Sequence, residues 1–131
     1  MAGEPLERFG SAAIWEREVG YCRVVKAGGQ VFVGGTAPVD DTGAGVFAPG
    51  DAEAQARRCL ELVERALARV GVDRTRIART RMFVTDISRW REYGRAHAAF
   101  FGEHRPVTSM VEVKALIDPA MLIEIEADAV V

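Results

Sequence analysis

Apolar positions along this chain follow two repeats, one of two residues and one of three to four, and these divide the sequence into strands and helices. The clearest period-two run closes the chain. In Leu122–Val130, Ile123, Ile125, Ala127 and Ala129 share one face, and Glu124, Glu126 and Asp128 share the other. That is a strand with one dry face, and its carboxylates are either solvated or placed in a cleft. Val107–Lys114 predicts another strand, separated from the last by a bend at Ile117-Asp118-Pro119. Val19–Lys26 (VGYCRVVK) and Gln30–Gly35 (QVFVGG) predict a hairpin turning at Ala27-Gly28-Gly29, where glycine supplies the positive φ of a tight turn. Val31-Phe32-Val33 is apolar on both faces, so both sides of that strand should be covered. Ile77–Thr85 predicts a further strand, with Met82 and Val84 on one face and Arg79, Arg81 and Phe83 on the other.

The longer repeat predicts two helices. Asp51 is a good N-cap for Ala52–Val70, whose stripe is Ala56, Cys59, Leu60, Val63, Ala66, Leu67 and Val70. Its other face offers Arg57–Glu61 and Glu61–Arg65 pairs, and Gly71 stops it. Ser88 can cap Arg89–Phe101, with Trp90, Gly94, His97, Ala98 and Phe101 facing inward and Gly102 at the end. Thr36–Gly50 reads as loop, and residues 1–18 as an N-terminal arm that Trp15 pins to the body. The order is β-β-α-β-α-β-β in a single domain, residues 1–131. We class it as α+β, a mixed sheet with two helices on one face. Two helices cover only one side of the sheet, which leaves the other for a second subunit.

Composition narrows the function classes. A formal charge of −2 gives no electrostatic reason to expect nucleic acid as the main partner. No apolar run approaches the ~20 residues that span a bilayer, and the first ten residues lack the pattern of a secretory signal, so no membrane partner is expected. Cys22 and Cys59 have no CxxC spacing and fit a reduced, cytoplasmic setting. Cys59 lies in the helix stripe as a small core hydrophobe. His97 and His104 lie seven apart, which is no zinc spacing, and no metal site is expected.

Several strings, in their order and spacing, carry a family resemblance. They are Gly20-Tyr21, Val33-Gly34-Gly35-Thr36-Ala37-Pro38, Ala54-Gln55-Ala56-Arg57, Thr80-Arg81-Met82-Phe83-Val84-Thr85-Asp86, Phe100-Phe101-Gly102, Arg105-Pro106, Val111-Glu112-Val113 and Ile123-Glu124-Ile125-Glu126-Ala127. Over residues 19–131 the chain resembles the Rid (RidA/YjgF) family, often labelled endoribonuclease L-PSP. The resemblance implies a chorismate-mutase-like fold: a six-stranded sheet backed by two helices, assembled as a homotrimer. Small-molecule sites would lie in three clefts between subunits. RidA-type members hydrolyse reactive enamines and imines to a keto acid and ammonia without a cofactor.

In such members a Pro-x-Arg-Ser string supplies an arginine that clamps the substrate carboxylate. Here it reads Pro106-Val107-Thr108-Ser109, so threonine stands at the clamp, and Met110 replaces a frequent cysteine. The glutamate position is kept as Glu124, the expected catalytic, water-positioning group; Tyr21 and Gly35 also match the cleft. The resemblance thus points to Tyr21, Gly35, Thr108, Ser109 and Met110 as substrate-binding, and Arg23 joins them as a candidate from its spacing to Tyr21. Arg23 shares a strand face with Tyr21 and would be either a relocated anion grip or an interface charge. Arg105 would have to reach back. The expectation is an imine or enamine hydrolase that is not the archetypal 2-imino-acid deaminase. The alternative is a trimeric metabolite-binding protein without turnover; ribonuclease activity ranks below both.

Overall fold

Period-two burial shapes the sheet. In the computed structural model, which describes residue 3 and residues 5–131, the strands are Glu7–Phe9 (β1), Val24–Ala27 (β2), Gln30–Thr36 (β3), Ile77–Val84 (β4), Val107–Glu112 (β5) and Ile123–Val130 (β6). They form one six-stranded sheet in the order β1-β2-β3-β6-β4-β5. Only β4 and β5 run parallel; the other neighbours are antiparallel. Along β6, Ile123, Ile125, Ala127 and Ala129 are fully buried. They face the core built by Ala52–Ala68 (α2) and Trp90–Phe101 (α3). A shorter helix, Trp15–Val19 (α1), precedes β2.

The dominant patterns hold. Gly28, at φ 60°, turns the β2–β3 hairpin, in which Ala27 pairs with Gln30. Asp51 caps α2 by accepting from the Ala54 amide at 3.0 Å. The α2 stripe from Ala56 to Leu67 is buried. The weaker readings need correction. The arm is not featureless: β1 pairs with β2 and supplies the sixth strand. The first hairpin strand begins at Val24, not Val19. Val19 ends α1, and Gly20, at φ 84°, closes that helix by donating to the Glu16 carbonyl. Tyr21 and Cys22 therefore lie outside the ladder, while Arg23 keeps backbone hydrogen bonds to Phe9 and Gly34 on either side.

The inward stripe of α3 is rotated from the one expected. Tyr93, Ala96 and Phe101 are buried, while Trp90 is 49 % exposed and Ala98 is also exposed. Asp86, not Ser88, caps the preceding 3-10 turn, because the aspartate accepts the Ser88 amide at 3.0 Å. Glu112 accepts the Ile87 amide at 3.0 Å and pairs with no cation among the described residues. Arg57, Glu61 and Arg65 form no ion pair among those residues; α2 is tied instead by Arg58–Asp41 and Glu64–Arg74.

The double-sided apolarity of β3 is half met within one chain. Val31 and Val33 are buried, while Phe32, between Val25 and Asp128 in register, is 43 % exposed. Arg81 lies across from Glu126 and Asp128 at 3.0 and 3.4 Å. No helix among the described residues is long and apolar enough to cross a membrane.

Candidate functional site

The β3–β6 pairing slips between Val33 and Thr36, where Gly34 and Gly35 stand. Two side chains fill the room that these glycines leave. A β-carbon on Gly35 would lie 3.0 Å from Cδ of Glu124, and one on Gly34 would lie 3.2 Å from an Nη of Arg23. The bare backbone thus lets a carboxylate and a guanidinium pack against the end of β3.

Arg23 is held firmly. Its amide donates to the Phe9 carbonyl at 2.8 Å, and Nη1 donates to the Gly35 carbonyl at 2.8 Å and to Thr36 Oγ1 at 3.3 Å. Its guanidinium lies 5.6 Å from the centroid of the Tyr21 ring, and its Nε is buried with no partner. Tyr21, Arg23, Gly35 and Glu124 all line one cavity of about 370 Å³, bounded also by α1, the loop after β3 and the flank of α2.

Glu124 is half-buried, and its carboxylate makes no hydrogen bond among the described residues. Burial pushes its carboxyl above the ordinary glutamate range; Arg23 opposes this and Glu126 reinforces it. Burial likewise raises the Tyr21 hydroxyl, again against Arg23. A carboxylate set in a cavity with a raised proton affinity and unused acceptors can take a proton from water or return one. Replacing Gly35 with alanine would force Glu124 aside. We expect ligand affinity at this cavity to fall at least about 10-fold, while thermal unfolding shifts little because Gly35 lies outside the positive-φ region. Titration of the two proteins with one ligand checks this.

Thr108, Ser109 and Met110 are not brought to this cavity within one chain, because β4 lies between β6 and β5. Thr108 pairs with Thr80 and Met110 with Met82, while Ser109 is exposed beside Arg81. Thr108 instead lines a second hollow of about 300 Å³ with His97 and Arg105. There Thr80 Oγ1 stands 2.7 Å from Thr108 Oγ1 and 2.8 Å from His97 Nε2. Burial lowers the proton affinity of His97, which favours the neutral ring. Of the two arginines weighed for the clamp, Arg23 therefore shares a cavity with Glu124, and Arg105 shares one with Thr108. Among the described residues no three His, Cys, Asp or Glu side chains gather as metal ligands. Cys59 is fully buried in the core, and burial pushes its thiol well up.

Sequence reasoning missed the α2 flank. Arg58, Leu62, Arg65 and Arg69 recur at helical spacing and all line the Glu124 cavity, with Trp15 opposite. The spacing was readable; a polar stripe beside an apolar one looks like a solvated face.

Residues 12–131 match the family model described as endoribonuclease L-PSP. The fold superposes on a crystal structure of a member of the YjgF/YER057c/UK114 family from Mycobacterium tuberculosis. The two are 47 % identical, with a TM-score of 0.86, over 97 % of this chain and all of that one. The YjgF gene product of Escherichia coli gives a TM-score of 0.80 at 34 % identity, over 92 % of each chain. A 2-iminobutanoate/2-iminopropanoate deaminase of Salmonella typhimurium is 38 % identical over 114 residues, covering 84 % of this chain and 86 % of that protein.

Proposed function

The chain belongs to the Rid family, the YjgF or L-PSP group, and from that premise we propose that it is a hydrolase of imines or enamines with Glu124 as its acid–base group. The observation that carries this reading is the half-buried Glu124 carboxylate, raised in proton affinity and without a hydrogen-bond partner, in a cavity shared with Tyr21 and Arg23. Glu124 takes a proton from water as the oxygen attacks the imine carbon. Glu124 returns that proton to nitrogen, giving a neutral aminoalcohol; the carboxylate then carries the hydroxyl proton to nitrogen as the C–N bond breaks, so that ammonia leaves and a carbonyl remains. The reaction itself calls for no cofactor, since water and a positioned carboxylate supply both the nucleophile and the proton path.

Relatives of this chain include deaminases of 2-iminobutanoate and 2-iminopropanoate. We propose that such small imino acids are not its preferred substrates, because Thr108 stands where the family carries its clamp. A charged hydrogen bond to a carboxylate is worth about 1.5–3 kcal/mol, so its loss weakens binding on the order of 10- to 100-fold. The hydroxyl of Thr108 is also engaged with Thr80.

We further propose that the working site is completed between copies in a homotrimer. Support comes from the exposed apolar side chains Phe32, Val107 and Val111 on the sheet. It also comes from the separation of Thr108 and Glu124 into different cavities of one chain. A binding protein without turnover is the second reading. It is favoured by the commitment of Arg23 Nη1 to backbone and of Thr108 to Thr80. Ribonuclease activity is disfavoured by the formal charge of −2.

Ammonia release over a panel of freshly generated imines tests the hydrolase reading. Wild type is expected to act on some members and to act poorly on 2-iminopropanoate, with Thr108→Arg improving the latter at least about 10-fold. Silence of the wild type across the whole panel contradicts turnover and leaves the binding reading.

A further inference from the structure

α2 carries two stripes. One is the core. The other holds Arg58, Leu62, Arg65 and Arg69 and faces the cavity across from the N-terminal arm. Arg69 Nη1 donates to the Gly10 carbonyl at 2.9 Å, and its guanidinium lies 5.1 Å from the Phe9 ring centroid, so the arm is anchored to the helix there. Trp15 and Val19 of α1 line the same space. The cavity therefore has a half remote from β3, with Trp15, Val19 and Leu62 as apolar walls.

The charges of this half do not cancel. Arg58 is nearly fully buried and engaged: Nε donates to the Val39 carbonyl at 2.8 Å, and Nη2 to Asp41 at 3.0 Å. Asp40 is turned onto its own loop, accepting from the Thr42 and Gly45 amides at 2.9 and 3.3 Å. Arg65 lines the cavity but makes no hydrogen bond or ion pair among the described residues. The Arg69 side chain makes one hydrogen bond among the described residues, to the neutral Gly10 carbonyl. Among the described residues, neither Arg65 nor Arg69 forms an ion pair at the border of this hollow, and Glu16, which lies beside Gly10, is engaged by the Ser11 amide at 3.0 Å. Hydrolysis at Glu124 requires neither of them. The whole cavity, about 370 Å³, falls within the range of about 300–1,000 Å³ typical of sites for ligands well above a three-carbon imino acid.

We propose that the arm-side half of the cavity binds the tail of an organic monoanion whose charged group is separated by an apolar body from the carbon presented to Glu124. Arg65 is the main counter-ion and Arg69 stands beside it, while Trp15 and Leu62 flank the body. This rests on reading Glu124 as the reacting end, and it accounts for the threonine at 108. A ligand that carries its anion away from the reacting carbon has no use for a cation at that position.

The chain has two tryptophans, and a Trp90→Phe background leaves Trp15 as the only one. Its fluorescence then reports occupancy of the arm-side half. In that background, 3-phenylpropanoate, its uncharged amide and acetate are titrated in turn. The acid is expected to bind at least about 10-fold more tightly than either comparison ligand. Arg65→Gln is expected to erase the preference of acid over amide without moving the thermal unfolding midpoint. No binding of the acid, equal affinity for acid and amide, or a preference that survives Arg65→Gln would each overturn the proposal. The ammonia assay keeps the two ideas apart. Turnover of small imines by a protein with no acid preference would sink this subsite alone. A clear acid preference without turnover of any imine would leave the subsite standing and remove the hydrolase.

Discussion

Replacing Glu124 with glutamine is expected to lower ammonia release by about 10²–10⁴-fold while making the folded protein more stable at neutral pH. The activity loss follows from removing the one cavity carboxylate that, among the described residues, has no hydrogen-bond partner. The stability gain follows from linkage. Burial raises the Glu124 carboxyl above the ordinary value of 4.5, so the folded chain binds this proton more tightly than the unfolded chain does. Below that ordinary value both states are protonated and the group costs nothing. As pH rises through the raised folded value, the folded state must ionise a poorly solvated carboxylate, and stability falls. Glutamine escapes this. Thermal melts of the two proteins should therefore diverge at pH 7 and converge in acid. Catalytic groups held at such a cost are a common source of activity–stability conflict. A variant that melts lower than wild type at neutral pH would mean that Glu124 is a structural anchor.

Gln55→Leu is expected to destabilise the fold by about 2 kcal/mol or more and to reduce whatever activity the Glu124 cavity has. Gln55 is fully buried at the start of α2. Its Nε2 donates to the Ala120 carbonyl at 2.9 Å and to the Ala48 carbonyl at 3.3 Å, while its Oε1 accepts the Leu122 amide at 2.8 Å. One side chain thus ties two loops together and sets the entry of β6 two residues before Glu124. Leucine fills similar volume but leaves the Ala120 carbonyl and the Leu122 amide unpaired, each at a cost of about 1–3 kcal/mol when buried; the Ala48 carbonyl keeps the Asp51 amide at 3.0 Å. The urea midpoint should drop with the slope unchanged. An unchanged midpoint would show that water or loop movement satisfies those groups.

Much of this architecture was legible in the chain because burial alternates cleanly where one face is dry. β6 shows it best: Ile123 through Ala129 alternate with carboxylates, and the structure buries the apolar set. The stripe of α2 was equally clear, since seven small and aliphatic residues recur at one spacing. α3 was less so. Trp90 looked like core by type, yet it is exposed, with Arg91 stacked 4.3 Å from its ring centroid. The smaller Ala96 takes the inward place instead. Residues 7–9 were missed as a strand because three residues cannot display a period, and their pairing with β2 is a tertiary event.

The site divides in the same way. Tyr21, Gly35 and Glu124 were named from family strings and Arg23 from its spacing to Tyr21, and all four line one cavity. No local pattern could say that Thr108 lies elsewhere, because that depends on β4 running between the two strands. The cationic flank of α2 was visible as a spacing but not as a site. Its meaning comes only from the arm folding back across it.

Within one chain β4 separates Glu124 on β6 from Thr108 on β5, so the proposed cleft needs a second copy to complete it. Sedimentation equilibrium at micromolar concentration tests that claim most directly. The predicted result is a single species of about three times the 14.3 kDa chain mass. A stable species at the mass of one chain, still active in the ammonia assay, would contradict it.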